Sequence, residues 1–258
     1  MQGNPVREAI GRGEVQYGTW VNMVRNPAIL TLLKGAGLDF ARIDMEHSSP
    51  DMETVANMAL LARALPFPIV VRPPEANREW ITRLLDAGVQ NLHCPQVDTA
   101  KQAEEIVQAS RYAPWGSRGM YNEGPAFDFE AGGSLQERLK WANEQVFVTV
   151  MLETVGAFND LDEIAAMPGI DAITLGPTDL SQDMGVFGTP QMGPALDEKR
   201  YEIIEACNKH GKTAAMLVGT AEEAVKWRNA GVKLLGYSSE VGVMLDGFRK
   251  AMRAIKGS

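Results

Sequence analysis

One junction recurs along the chain. Around Ala36-Gly37, Ala87-Gly88 and Ala230-Gly231, an apolar helical pattern passes through Ala-Gly into an apolar strand pattern. A glycine just past a helix end takes the left-handed conformation that turns the chain into its next element. Repetition of this one junction belongs to stacked βα units, not to a bundle or a sandwich. Eight short apolar strands are expected: residues 15–23, a strand starting near Gly37 and running into Ile43 and Asp44, then 68–72, 91–95, 146–152, 172–176, 213–218 and 233–237. Short apolar runs without alternation suit a parallel sheet covered on both faces. Helical patterns such as 99–110 and 198–210 separate them, and Asn26 followed by Pro27 reads as the cap and first position of the first helix. Eight units in 258 residues point to one (β/α)8 TIM barrel spanning residues 1–258. Two loops, 118–133 after the fourth strand and 190–194 after the sixth, are read as βα loops, the kind that builds barrel sites.

Composition narrows the partners. A net charge of -8 offers no basic surface for a phosphate backbone, so nucleic acid is not expected. No apolar run approaches the roughly 20 residues that span a bilayer, and the N-terminus from Met1 to Pro5 lacks the layout of a signal peptide. Cys94 and Cys207 have no metal-type spacing, so the expectation is a reduced, cytoplasmic enzyme with neither a disulfide framework nor a structural zinc.

Chemistry gathers at strand ends. The second strand runs out into Asp44, Glu46 and His47, three ionisable groups in four residues, which is costly inside a sheet and marks the mouth of a polar cavity. Arg72 ends the third strand before Pro73 and Pro74, Glu153 follows the fifth, and Asp179 follows the sixth in Gly176-Pro177-Thr178-Asp179. Neighbouring parallel strands lie about 4.8 Å apart, so Glu153 and Asp179 can share a cation, and two carboxylates suit Mg²⁺, Mn²⁺ or Co²⁺ better than zinc. The plain alternative is that each acid caps the helix after it. Arg72 suits a carboxylate or an oxyanion, and a structural ion pair with Asp44 or Glu46 is its ordinary reading. His47 is the natural general base. A helix starting at Gly176 would turn the backbone N–H groups of Thr178 and Asp179 toward a substrate carboxylate.

These segments, with Asp86 in Leu85-Asp86-Ala87-Gly88, Arg118-Gly119 and Leu152-Glu153-Thr154, resemble the HpcH/HpaI family of class II, metal-dependent pyruvate aldolases. That family includes 2-keto-3-deoxyglucarate and 2,4-dihydroxyhept-2-enedioate aldolases. The resemblance runs from about Gly18 to about Ala254, and Asp44-Met45-Glu46-His47 and Gly176 to Ser181 are its specific parts. It implies a barrel of the phosphoenolpyruvate/pyruvate-binding type with an exchanged last helix, in a homo-oligomer that is usually a hexamer built from dimers. It further implies that Glu153 and Asp179 bind the divalent metal, Arg72 stabilises a pyruvate enolate and His47 is the acid–base group. Asp44 and Asp86 would support His47 through hydrogen bonds that can cross a subunit boundary. The implied substrates are a small keto acid and an aldehyde, joined or cleaved without a Schiff-base lysine. A second reading within the same chemistry is oxaloacetate decarboxylation or another carbon–carbon reaction, as in the macrophomate-synthase branch. A third is a barrel without catalysis, against which the intact His47, Arg72, Glu153 and Asp179 speak. The chain departs from the pattern at Met151, where a Gln is expected, at Glu240, and at Tyr121-Asn122-Glu123-Gly124.

Overall fold

The computed structural model describes residues 2–121, 123–129 and 132–257. Eight parallel strands close into a barrel: β1 (Gln16–Val21), β2 (Phe40–Asp44), β3 (Ile69–Arg72), β4 (Asn91–Cys94), β5 (Phe147–Leu152), β6 (Ala172–Leu175), β7 (Thr213–Val218) and β8 (Leu234–Ser239), with β8 pairing back onto β1. Every expected strand is present, each within a few residues of its expected bounds. The helices are α1 (Pro5–Gly11), α2 (Ile29–Gly35), α3 (Met52–Ala64), α4 (Arg78–Asp86), α5 (Ala100–Ser110), α6 (Leu135–Gln145), α7 (Leu161–Ala166), α8 (Pro177–Asp183), α9 (Met192–His210), α10 (Ala221–Asn229) and α11 (Glu240–Lys256). The recurrent junction works as its sequence implies: Gly37, Gly88 and Gly231 have φ of +89°, +93° and +99°, a conformation that costs glycine little.

Alternation along the strands divides the barrel into two interiors. Outward residues such as Val21, Ile43, Val71, Leu92, Val150, Ile173 and Met216 form the main core against the helices. Inward residues stack in layers. At the amino end Phe40, Val70, Phe147, Ala172, Ala215 and Leu234 make an apolar plug, closed from below by Val6 of α1. That helix was not expected. Asn4 caps it, accepting from the N–H groups of Val6 and Arg7, and its Nδ2 donates to Asn91 Oδ1 (2.8 Å) and to the Gln145 carbonyl (2.7 Å).

Three local expectations are corrected. Helix α2 begins at Ile29 and not at Pro27; Asn26 Oδ1 accepts the Ala28 N–H (3.0 Å), so the Asn-Pro pair caps a turn that leads into the helix. Segment 118–133, of which Asn122, Glu130 and Ala131 lie outside the described residues, follows α5 and not β4. Its described residues pack against the distal ends of α3 and α4, where Arg63 pairs with Asp128 and Pro125 lies against Gly88, and none of them lines the mouth. Residues 190–194 are no insertion either, because α9 starts at Met192 and Pro194 lies in its first turn, where a missing N–H is tolerated. No helix among the described residues is long and apolar enough to cross a membrane.

Helix α11 stands off its own barrel. Of its residues only Glu240 is buried, and Val243, Leu245, Phe248, Met252 and Ile255 lie exposed. Exposed apolar stripes of this kind are uncommon on the surface of a monomer.

Candidate active site at the carboxyl end of the barrel

Strand register sets Asp44 beside Arg72. Arg72 Nε and Nη2 donate to the two carboxylate oxygens of Asp44 at 2.9 and 2.8 Å, with both residues buried. Arg72 Nη1 lies 3.0 Å from Glu46 Oε2, and the guanidinium rests over the Trp20 ring at 4.4 Å. The ordinary reading of Arg72 as an ion-pair partner is therefore correct for this geometry. A guanidinium carries five N–H donors, so a fork held on one edge still presents donors on another. Burial holds the Glu46 carboxyl above its ordinary value, against the opposing pull of Arg72 and His47.

Asp44 Oδ1 also accepts the backbone N–H groups of Glu46 (3.0 Å) and His47 (3.4 Å), which curls the chain over the strand end. The His47 side chain sits at the rim, 60% exposed, with Nε2 3.6 Å from Glu46 Oε2. Asp44 thus positions the His47 backbone, and Glu46 is the carboxylate that faces its imidazole.

On the opposite side Leu152 pairs with Leu175, which brings Glu153 against Gly176. A Cβ at Gly176 would lie 2.4 Å from Glu153 Oε1, so only glycine leaves room for this carboxylate. Glu153 Oε2 accepts the Gln96 N–H at 2.7 Å. Burial, with Glu46 and Asp179 nearby, pushes the Glu153 carboxyl up to about 7. Helix α8 starts at Pro177, as expected, and Thr178 and Asp179 in its first turn line the same cavity as Glu153, Asp44, Arg72 and His47, about 660 Å³ in volume. Among the described residues no group of three or more His, Cys, Asp or Glu side chains is arranged to hold a metal; the carboxylates of Glu153 and Asp179 both line the cavity.

Asp86 is not brought into this mouth. It ends α4 and accepts from Arg118 Nη2 at 2.6 Å, Arg118 itself lying over Tyr112. Met151 lines the cavity and touches His93 Nε2 through its sulfur at 3.3 Å, while His93 packs edge-on to Trp20 and is held well below its ordinary pKa by burial and by Arg42 and Arg72. Glu240 stands outside the cavity and accepts the N–H groups of Asn22, Met23 and Val24, fastening the loop after β1. Of the Tyr121-to-Gly124 departure, Asn122 is outside the described residues. Sequence reasoning missed Trp20 and Arg200, which line the cavity, and Gln96, whose N–H holds Glu153 from behind. Trp20 carried a readable signal, an aromatic near the end of a strand whose neighbours end in charge.

The HpcH/HpaI aldolase/citrate lyase family model matches residues 16–244. The hydroxypyruvate/pyruvate aldolase of Pseudomonas aeruginosa is 31% identical over 255 residues, covering 98% of this chain and 93% of that protein. The 4-hydroxy-2-oxo-heptane-1,7-dioate aldolase of Escherichia coli is 32% identical over 237 residues, covering 88% and 86%. Among solved structures, an HpcH/HpaI aldolase from Desulfitobacterium hafniense DCB-2 superposes with a TM-score of 0.92 at 27% identity, covering 99% of this chain and 97% of that one.

Proposed function

Because the chain belongs to the HpcH/HpaI aldolase/citrate lyase family, a family of carbon–carbon lyases, we propose that it is a divalent-metal-dependent pyruvate aldolase that reversibly cleaves a 4-hydroxy-2-keto acid to pyruvate and an aldehyde. The observation that carries the reading is the Glu153 carboxyl, pushed up to about 7 beside Asp179 in a cavity that also holds the buried Arg72. A carboxylate kept in so costly a place is the kind that a cation stabilises. Oxygen donors alone, with Gly176 opened for one of them, fit Mg²⁺, Mn²⁺ or Co²⁺. When bound, such an ion supplies Lewis-acid charge toward the keto acid.

The chain's own residues do the rest. Arg72, fixed by Asp44 and Trp20, donates to the oxygen on which negative charge grows as the carbon–carbon bond breaks. His47 at the rim accepts the proton of the 4-hydroxyl in cleavage and returns one to the methyl carbon of pyruvate. Gly176, Thr178 and Asp179 present first-turn backbone to the substrate carboxylate. Asp86 contributes from a second copy, and the stripe on α11 is covered in the same homo-oligomer. The compartment is the reducing cytoplasm, where the buried thiols of Cys94 and Cys207, both pushed up to about 12, stay unpaired.

The test is deuterium exchange into the pyruvate methyl group, with Mg²⁺, Mn²⁺ or Co²⁺ and with EDTA. Exchange that needs the metal and reverses on chelation supports the reading; exchange indifferent to EDTA, or none, ends it. Pyruvate released from oxaloacetate without exchange or aldol product would favour the decarboxylase instead.

A further inference from the structure

Strand β2 sets three inward side chains in a column: Phe40 in the apolar plug, Asp44 at the mouth, and Arg42 between them. Arg42 is 2% exposed, and its Nε and Nη2 have no hydrogen-bond partner. Burial first, and the repulsion of Arg72 second, bring this guanidinium down to about 9, so it is still a cation at neutral pH. Its neighbours are rings: it lies 4.9 Å from the Trp20 centroid and 5.6 Å from the Phe40 centroid. Gly236 on β8 makes room for it, since a Cβ there would lie 2.9 Å from Arg42 Nη1.

A buried cation without a counter-ion is costly, and two ring faces offset only part of that cost. Arg72 has two acids of its own, Asp44 and Glu46, whereas Arg42 makes no ion pair among the described residues. The unneutralised charge sits under the floor of the cavity. Trp20, whose ring Arg42 shares with Arg72, lines that cavity, as do Ser238 and Leu217, the register partner of Gly236. An indole screens a charge far less than water does. The field of Arg42 is felt nearby, at His93, which burial and then Arg42 and Arg72 hold well below its ordinary value.

We propose that Arg42 is an electrostatic positioning residue: from beneath the floor it gives the chamber a positive potential that favours ligands in proportion to their negative charge, and so favours the pyruvate enolate over pyruvate. The proposal rests on the aldolase reading. Removal of a methyl proton, which passes to His47, turns the pyruvate monoanion into an enolate dianion. The second negative charge is the one that Arg42 stabilises. Arg42 itself touches no substrate atom and exchanges no proton in the step.

The experiment measures the affinities of pyruvate, a monoanion, and oxalate, a planar dianion shaped like the enolate, by equilibrium titration at fixed free Mg²⁺. Native protein is compared with Arg42→Met and with Arg42→Gln, which tests the same loss of charge if the Met variant does not fold. A unit charge about 10 Å away, at an effective dielectric constant of about 20, changes binding by about tenfold per ligand charge. Both variants therefore lose about tenfold in pyruvate affinity and about a hundredfold in oxalate affinity, so the ratio of the two falls about tenfold. A distorted floor would weaken both ligands alike, and a ratio cancels any loss of folded protein. Methyl exchange slows in kcat as well as rising in KM, because the enolate loses more than pyruvate does. The melting temperature of metal-free Arg42→Met holds or rises, since a cation without a counter-ion has gone. Equal losses for the two ligands, or no loss for either, overturn the proposal. Methyl exchange in the native protein separates the two failures: if it occurs and the ratio does not change, only the role of Arg42 falls, and if it is absent the aldolase reading falls and takes that role with it.

Discussion

The two ends of this barrel use the same alternation of inward residues for opposite purposes. At the amino end the inward layer is apolar, Val6 seals it, and the polar groups nearby are paired: Asn4 with Asn91 and Gln145, and Asp171 with Arg7 and Arg111. At the carboxyl end Trp20, Asp44, Arg72 and Met151 occupy the inward positions, and past the last rung stand carboxyls held above their ordinary values. One end lowers the free energy of the fold, and the other stores unfavourable charge that a ligand can relieve. Barrel enzymes separate stability from chemistry along the strand axis in this way.

The contrast can be broken from either side. The largest expected effect is on stability: Phe40→Ala in the amino-end plug costs about 3–5 kcal/mol of unfolding free energy by urea titration, with kcat within about twofold. A large loss of kcat in folded Phe40→Ala would show that the ends are not separable. Next comes Glu153→Gln, which keeps shape and removes charge. We expect a fall in kcat of about 10²–10³-fold, with the melting temperature of the metal-free protein unchanged or raised, since a strained carboxylate is gone. A Glu153→Gln protein with near-native kcat would remove this residue from the chemistry.

The smallest effect is a slope with pH. The Glu153 carboxyl has its folded value raised to about 7, so below that pH a cation must displace a proton. Apparent Mn²⁺ affinity should then rise about tenfold per pH unit up to about 7 and flatten above it, as read by titration calorimetry. The same shift makes the metal-free fold less stable as pH climbs from the ordinary carboxyl value to about 7, because the native state holds the proton longer than the unfolded chain. A flat affinity between pH 5.5 and 7 contradicts both statements.

The barrel was legible because its evidence is local. Ala-Gly junctions and apolar runs report their own neighbourhood, and each expected strand lies within a few residues of its place. The site was legible where a strand end and a charge coincide, as at Asp44, Arg72 and Glu153. What failed depended on contacts distant in sequence. The pair Asn-Pro occurs at residues 4–5 and again at 26–27, yet only the first starts a helix directly. Val6 beneath the plug and the bonds from Asn4 to Asn91 and Gln145 secure that one, and no local pattern reveals them. Segment 118–133 was misplaced for a related reason: its polar composition says loop, and only Asp128 meeting Arg63 and Arg118 meeting Asp86 say which end of the barrel it covers. Asp86 was named by resemblance alone, and its place in a single chain is away from the mouth.

Glu240 links two features that lie far apart along the polypeptide. Its carboxylate clasps the amides of Asn22, Met23 and Val24, and Asn22 itself borders the reaction chamber. One acid side chain at the root of the terminal helix therefore ties that helix to the rim of the cavity, so the helix end and the rim cannot shift independently without breaking three hydrogen bonds.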